Sequence, residues 1–136
     1  MNETVAIRLI WLAGAIHAGI VVANFPLFRR FEIRENVRSM PLFLRQIFLV
    51  HWLYILLVVG MFSAVCLLFA RDLAGASALG RFLSAFMAGF WLLRIFLQIF
   101  YYDRELRRAN RALDALYVVS LSMLVAIFGV VALRPL

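Results

Sequence analysis

Two histidines, one arginine and a few amide, hydroxyl and phenol side chains sit inside stretches that are otherwise apolar. The arginine is Arg94, in WLLRIFLQIFYYDRELRR, residues 91–108, with Gln98 and Tyr101 following at i+4 and i+7. A guanidinium taken out of water demands an anion or several acceptors. Arginine grips carboxylate or phosphate with two parallel hydrogen bonds. No acidic residue shares the apolar run with Arg94. Asp103 and Asp114 are expected near the membrane surface, where Arg104, Arg107, Arg108 and Arg111 compete for them. The missing negative charge is therefore expected on a ligand: a haem propionate, a fatty-acid carboxylate, or a lipid or isoprenoid phosphate.

The histidines, His17 and His51, lie in different apolar runs. Histidine is a common axial ligand of haem iron. The first reading is a b-type haem or quinone redox protein, with His17 and His51 as metal ligands and Arg94 on an anionic group. Asn24, Gln98, Tyr117 and Ser120 complete that expected cofactor set. The alternative is a cofactor-free lipid- or isoprenoid-modifying enzyme. There His17 and His51 move protons, Arg94 holds an anionic head, and Tyr54 and Tyr101 assist. A third reading is a non-catalytic small subunit of a membrane complex. A non-haem metal lacks further ligands beside the two histidines, and no Ser-His-Asp or Cys-His set stands at this level. Plainer roles exist for several of these residues: an interfacial aromatic belt for the tyrosines, a bond to its own helix for Ser120, and an interhelical hydrogen bond for a lone histidine.

The elements that position these groups are transmembrane helices. Of the 136 residues, 66% are hydrophobic, well above a soluble domain. Four runs, at about 7–26, 44–70, 82–102 and 114–133, are long enough for a bilayer core of about 30 Å. The expected fold is all-α: one domain over residues 1–136, a four-helix bundle in up-down-up-down order. A short amphipathic helix is expected on the interface in the first loop, within LFRRFEIRENVRSM,. His17 lies nine residues before Pro26, His51 ten after Pro41, Arg94 nine before Asp103 and Ser120 six after Asp114. If the helices end there, all four sit roughly 9–15 Å in from one membrane face. Polar groups at one depth turn toward the bundle interior. The opposite half is plain apolar sequence, which disfavours a conduction path.

All 14 basic residues are arginines and the net charge is +7. Nine lie in or beside the first and third loops, four near the other side. The positive-inside rule then places loops one and three in the cytoplasm and both termini outside, in a bacterial inner membrane. That accounts for the charge without nucleic acid. The expected partners are membrane lipids, a quinone or anionic lipid ligand, and a second copy or a larger membrane complex. The first run reads as a span rather than a cleaved leader, because the arginine cluster follows it. Cys66, alone in the chain, reads as a small packing residue.

Overall fold

In the computed structural model, which describes residues 2–75 and 77–134, the chain is helical almost throughout. Four long helices carry the apolar runs: α1 (Glu3–Arg30), α3 (Leu42–Leu68), α5 (Ala78–Phe100) and α7 (Arg111–Ala132). Each is long and apolar enough to cross a membrane. Three short helices join them: α2 (Ile33–Arg38), α4 (Ala70–Ala74) and α6 (Arg104–Ala109).

Local chemistry sets several of the helix ends. The Asn2 side chain accepts from the Thr4 N–H at 2.9 Å, with Glu3 in the first turn and Arg29 and Arg30 in the last. Both ends thus complement the helix dipole. α1 was expected to stop at Pro26 but runs on to Arg30 with the proline inside it. A proline removes one N–H and does not by itself halt a helix. Here the last turns are held by Trp52, whose ring lies 4.8 Å from Phe28 and 6.2 Å from Phe25. Just beyond its end, Glu32 has a left-handed φ of 48°. α5 starts under Ser77, whose hydroxyl accepts from the Gly80 N–H at 3.0 Å.

The long helices pack chiefly as α1 with α3 and α5 with α7, and α1 also contacts α7. Aromatic contacts join α3 to α5, where Phe62 meets Phe86 and Phe90. α4 tucks under one end of the bundle, with Ala70, Leu73 and Ala74 all buried. Arginines close this end by donating to carbonyls that end helices: Arg81 to Ala132 at 3.2 Å and Arg134 to Ala74 at 2.8 Å. Such donors satisfy acceptors a helix terminus leaves open.

Close approach decides two glycines differently. A Cβ on Gly80 would lie 2.6 Å from the Asp72 carbonyl oxygen, whereas one on Gly19 meets nothing within 4 Å. Backbone cannot swing aside as a side chain can. Gly80→Ala is expected to destabilise the chain by about 1–3 kcal/mol. Gly19→Ala is expected to be neutral or to stabilise α1 by up to about 1 kcal/mol. Thermal unfolding followed by circular dichroism in a neutral detergent distinguishes the two.

Candidate functional site

At the end of the bundle opposite α4, a cavity of about 320 Å³ opens between the last turns of α1, the end of α5, α6 and the first turns of α7. Arg94, Gln98, Asn24, Asn110, Asp103 and the Arg107–Asp114 pair supply its polar wall, Tyr102 and Tyr117 its aromatic wall, and Leu27, Phe31, Leu106 and Leu113 its apolar remainder. The Arg94 guanidinium carbon lies 4.8 Å from the Tyr102 ring centre and 5.5 Å from that of Tyr117. Each such cation–π contact contributes about 0.5–2 kcal/mol. Neither ring supplies a carboxylate.

Two buried side-chain polar atoms lack a hydrogen-bond partner among the described residues: Ser84 Oγ and Arg94 Nη1. A serine hydroxyl on a helix can rotate onto a carbonyl one turn back. A guanidinium nitrogen has no such recourse, and a buried unsatisfied donor costs about 1–3 kcal/mol, more when charged. Arg94 also makes no ion pair among the described residues.

Two acids line the cavity, and neither pairs with Arg94: Asp103 caps α6 by accepting from the Glu105 N–H at 2.8 Å, and Asp114 is held by Arg107. Arg107 meets Asp114 as a fork, Nε donating to Oδ1 at 3.0 Å and Nη2 to Oδ2 at 2.9 Å. Gln98 Nε2 donates to the same Oδ1 at 2.7 Å. Hydrogen bonding to Asp114 raises the Arg107 pKa further above its ordinary value, so that side chain stays charged. A third Arg107 nitrogen donates to the Ile99 carbonyl at 3.2 Å. One ion pair thus ties α5, α6 and α7 together beside the cavity. Arg30 reaches across from α1 to the Asn110 side-chain oxygen at 3.3 Å.

Of the residues singled out in the sequence, Asn24, Arg94, Gln98 and Tyr117 meet in this cavity. The others lie elsewhere. His17 is fully buried in the core, ringed by Phe62, Trp91 and Phe128 at 5.4–5.8 Å. Its Nδ1 lies 2.7 Å from the Ala13 carbonyl oxygen and must carry the proton. Its Nε2 accepts from Trp91 Nε1 at 2.9 Å. Both ring nitrogens are engaged, and an iron at either would displace a bond. His51 and Tyr54 face outward on α3, and His51 Nδ1 bonds the Ile47 carbonyl of its own helix at 2.8 Å. Tyr101 is 82% exposed, and Ser120 is half-buried and donates to its own helix at Leu116.

The two histidines are not at one level. Ser63 of α3 donates to the Gly14 carbonyl at 2.8 Å, and Trp52 packs on Phe25 and Phe28. His51, next to Trp52, therefore lies beside the Phe25–Phe28 turn. At about 1.5 Å per residue that is roughly 12 Å along α1 from His17. The residues do not fit a bis-histidine haem. Among the described residues no three of His, Cys, Asp and Glu gather in a group suited to a metal.

Tyr102, Arg107, Asn110 and Leu106 line the cavity without having been singled out for it. Helical spacing pointed to Tyr101, seven residues after Arg94, but α5 ends at Phe100. Beyond that end the chain curls, with the Tyr102 N–H bonding back to Leu97 at 3.2 Å. That turn brings Tyr102, not Tyr101, over the guanidinium. The one legible sign was the paired YY at a helix end. Comparison with protein-family models, with curated proteins and with solved structures returned no match.

Proposed function

We propose that this chain is an integral membrane protein that binds an anionic amphiphile by its head, at Arg94. The single observation that carries the reading is the buried Arg94 Nη1 with no hydrogen-bond partner, on a side chain that lines a cavity beside aromatic and amide groups. Nearby Asp114 is already bonded to Arg107 and Gln98. A carboxylate or phosphate supplies both the charge and the acceptors that the guanidinium lacks. A neutral head such as a quinone supplies acceptors without the charge. The cavity's volume is at the small end of ligand sites, so it takes a head and its first carbons while the tail lies among the apolar helices.

The helices run up-down-up-down in this reading, which the Gly14–Ser63 and Phe25–Trp52 pairings support. Loops one and three face the cytoplasm of a bacterial inner membrane and the termini lie outside, on the arginine count,. α2 lies on the interface: Val37 is buried while Arg34, Glu35 and Arg38 are exposed, as in a surface-lying amphipathic helix.

The test is a thermal-shift titration of the full chain in an uncharged detergent. The ligands are an alkyl carboxylate, an alkyl phosphate and the alcohol of equal chain length. At 100-fold excess over Kd, binding stabilises by about 2.7 kcal/mol. The two anions are expected to raise the melting temperature and the alcohol not, and Arg94→Gln is expected to abolish the shift. An equal shift with the alcohol would overturn the reading.

A further inference from the structure

A second cavity, of about 350 Å³, lies on the other side of the Arg107–Asp114 pair. Arg104, Arg107, Arg108 and Arg111 line it, with Asp114, Ile99 and Phe100. Arg107 is neutralised by Asp114. Arg104, Arg108 and Arg111 are exposed and make no ion pair among the described residues. Asp114, the one acid lining this cleft, is already held by a forked guanidinium and an amide.

We propose that this cleft binds the phosphate of a membrane phospholipid headgroup. Three unneutralised guanidiniums facing one hollow repel one another. A phosphate between them turns that repulsion into charge-assisted hydrogen bonds, for which the planar guanidinium is well shaped. Two features point to a lipid rather than a soluble anion. The cleft has an apolar side, formed by Ile99 and by Phe100, which is 67% exposed. Both residues belong to the last turn of α5, a helix long and apolar enough to span a membrane. The arginines therefore stand where acyl chains give way to headgroups. Negatively charged phospholipid is preferred, because three cations exceed the charge of one zwitterionic head. The cleft is separate from the Arg94 cavity, which Arg94 lines and this cleft does not share. Arg107 and Asp114 form the wall between them.

The experiment is native mass spectrometry of the full chain in neutral detergent, titrated with phosphatidylglycerol or with phosphatidylcholine. The first phosphatidylglycerol is expected to bind more tightly than phosphatidylcholine. The triple variant Arg104→Gln, Arg108→Gln, Arg111→Gln is expected to weaken it about 100-fold, at about fivefold per arginine. Single variants Arg108→Gln and Arg111→Gln, each expected to lose about fivefold, serve if the triple variant does not fold. Arg94→Gln is expected to keep the preference, so this site and the Arg94 cavity can fail separately. Retention of the full preference in the arginine variants would overturn the proposal. So would competition by inorganic phosphate at the concentration where phosphatidylglycerol binds, which would make this a site for a soluble anion.

Discussion

Arg94→Met is expected to lose an anionic amphiphile by about 100-fold or more, yet leave the ligand-free protein as stable as before or more so. The two effects come from one cause. A forked pair between guanidinium and carboxylate or phosphate contributes about 3 kcal/mol or more through two charge-assisted bonds. In the protein alone the same side chain holds a buried donor without an acceptor. Arg94 is half-buried, and replacing a charge whose desolvation is poorly compensated by an apolar group of similar length is neutral or mildly stabilising. The two cation–π contacts, to Tyr102 and Tyr117, together contribute about 1–4 kcal/mol and offset this gain, so the net change is expected near zero. The measurements are ligand titration and denaturant unfolding of protein stripped of co-purified lipid. A loss of 3 kcal/mol or more in the stripped variant would mean that Arg94 holds the fold together, and the binding reading would fall.

His17→Ala is expected to destabilise the bundle by about 3–5 kcal/mol, while His51→Ala changes stability by no more than about 0.5 kcal/mol. His17 fills the point where one ring from each of the other long helices converges. Truncation leaves a cavity there, at about 2–5 kcal/mol for large-to-small core changes. It also strips the Trp91 indole N–H of its acceptor, about 1–3 kcal/mol for a buried unsatisfied donor, and the two terms overlap as the site relaxes. His51 bonds only a carbonyl of its own helix and lies exposed on α3. Unfolding by denaturant in mixed micelles reads both. Equal, large losses for both histidines would indicate a shared role that their placement on α1 and α3 does not support.

The Arg94 cavity, the His17 core and the arginine cleft rest on different physics. His17 is a packing and hydrogen-bonding centre whose two nitrogens are engaged. Arg94 is a charge short of an acceptor. The cleft is a surplus of cations at the end of a candidate membrane span. The Arg107–Asp114 pair is common to the last two, so a change at either residue is expected to disturb both at once.

Four helices long and apolar enough to cross a membrane were legible in the sequence because a bilayer's thickness demands a length of apolar chain that little else requires,. The special status of Arg94 was legible for the same reason: its run contains no acid. That Gln98 shares a helix face with Arg94 followed from helical spacing; that Asn24 and Tyr117 meet it from other helices did not. Depth was not legible. It was reckoned from Pro26 as a helix end, and α1 runs on to Arg30, which moves His51 away from the level of His17. Tyr102 was missed because helical spacing was carried past Phe100, where the helix stops.

By itself, then, the sequence determined that the chain is a set of apolar helices carrying one guanidinium without an acid in its own run. Composition and segment length are properties of the chain alone. Only the tertiary structure decided which polar residues share a cavity, and that Asp114 belongs to Arg107 and Gln98 rather than to Arg94. The reason is that a side chain's partner depends on where each helix begins and ends and which neighbour it packs against. Those are set by contacts such as Trp52 on Phe28 and Ser63 on Gly14, between residues far apart in the chain.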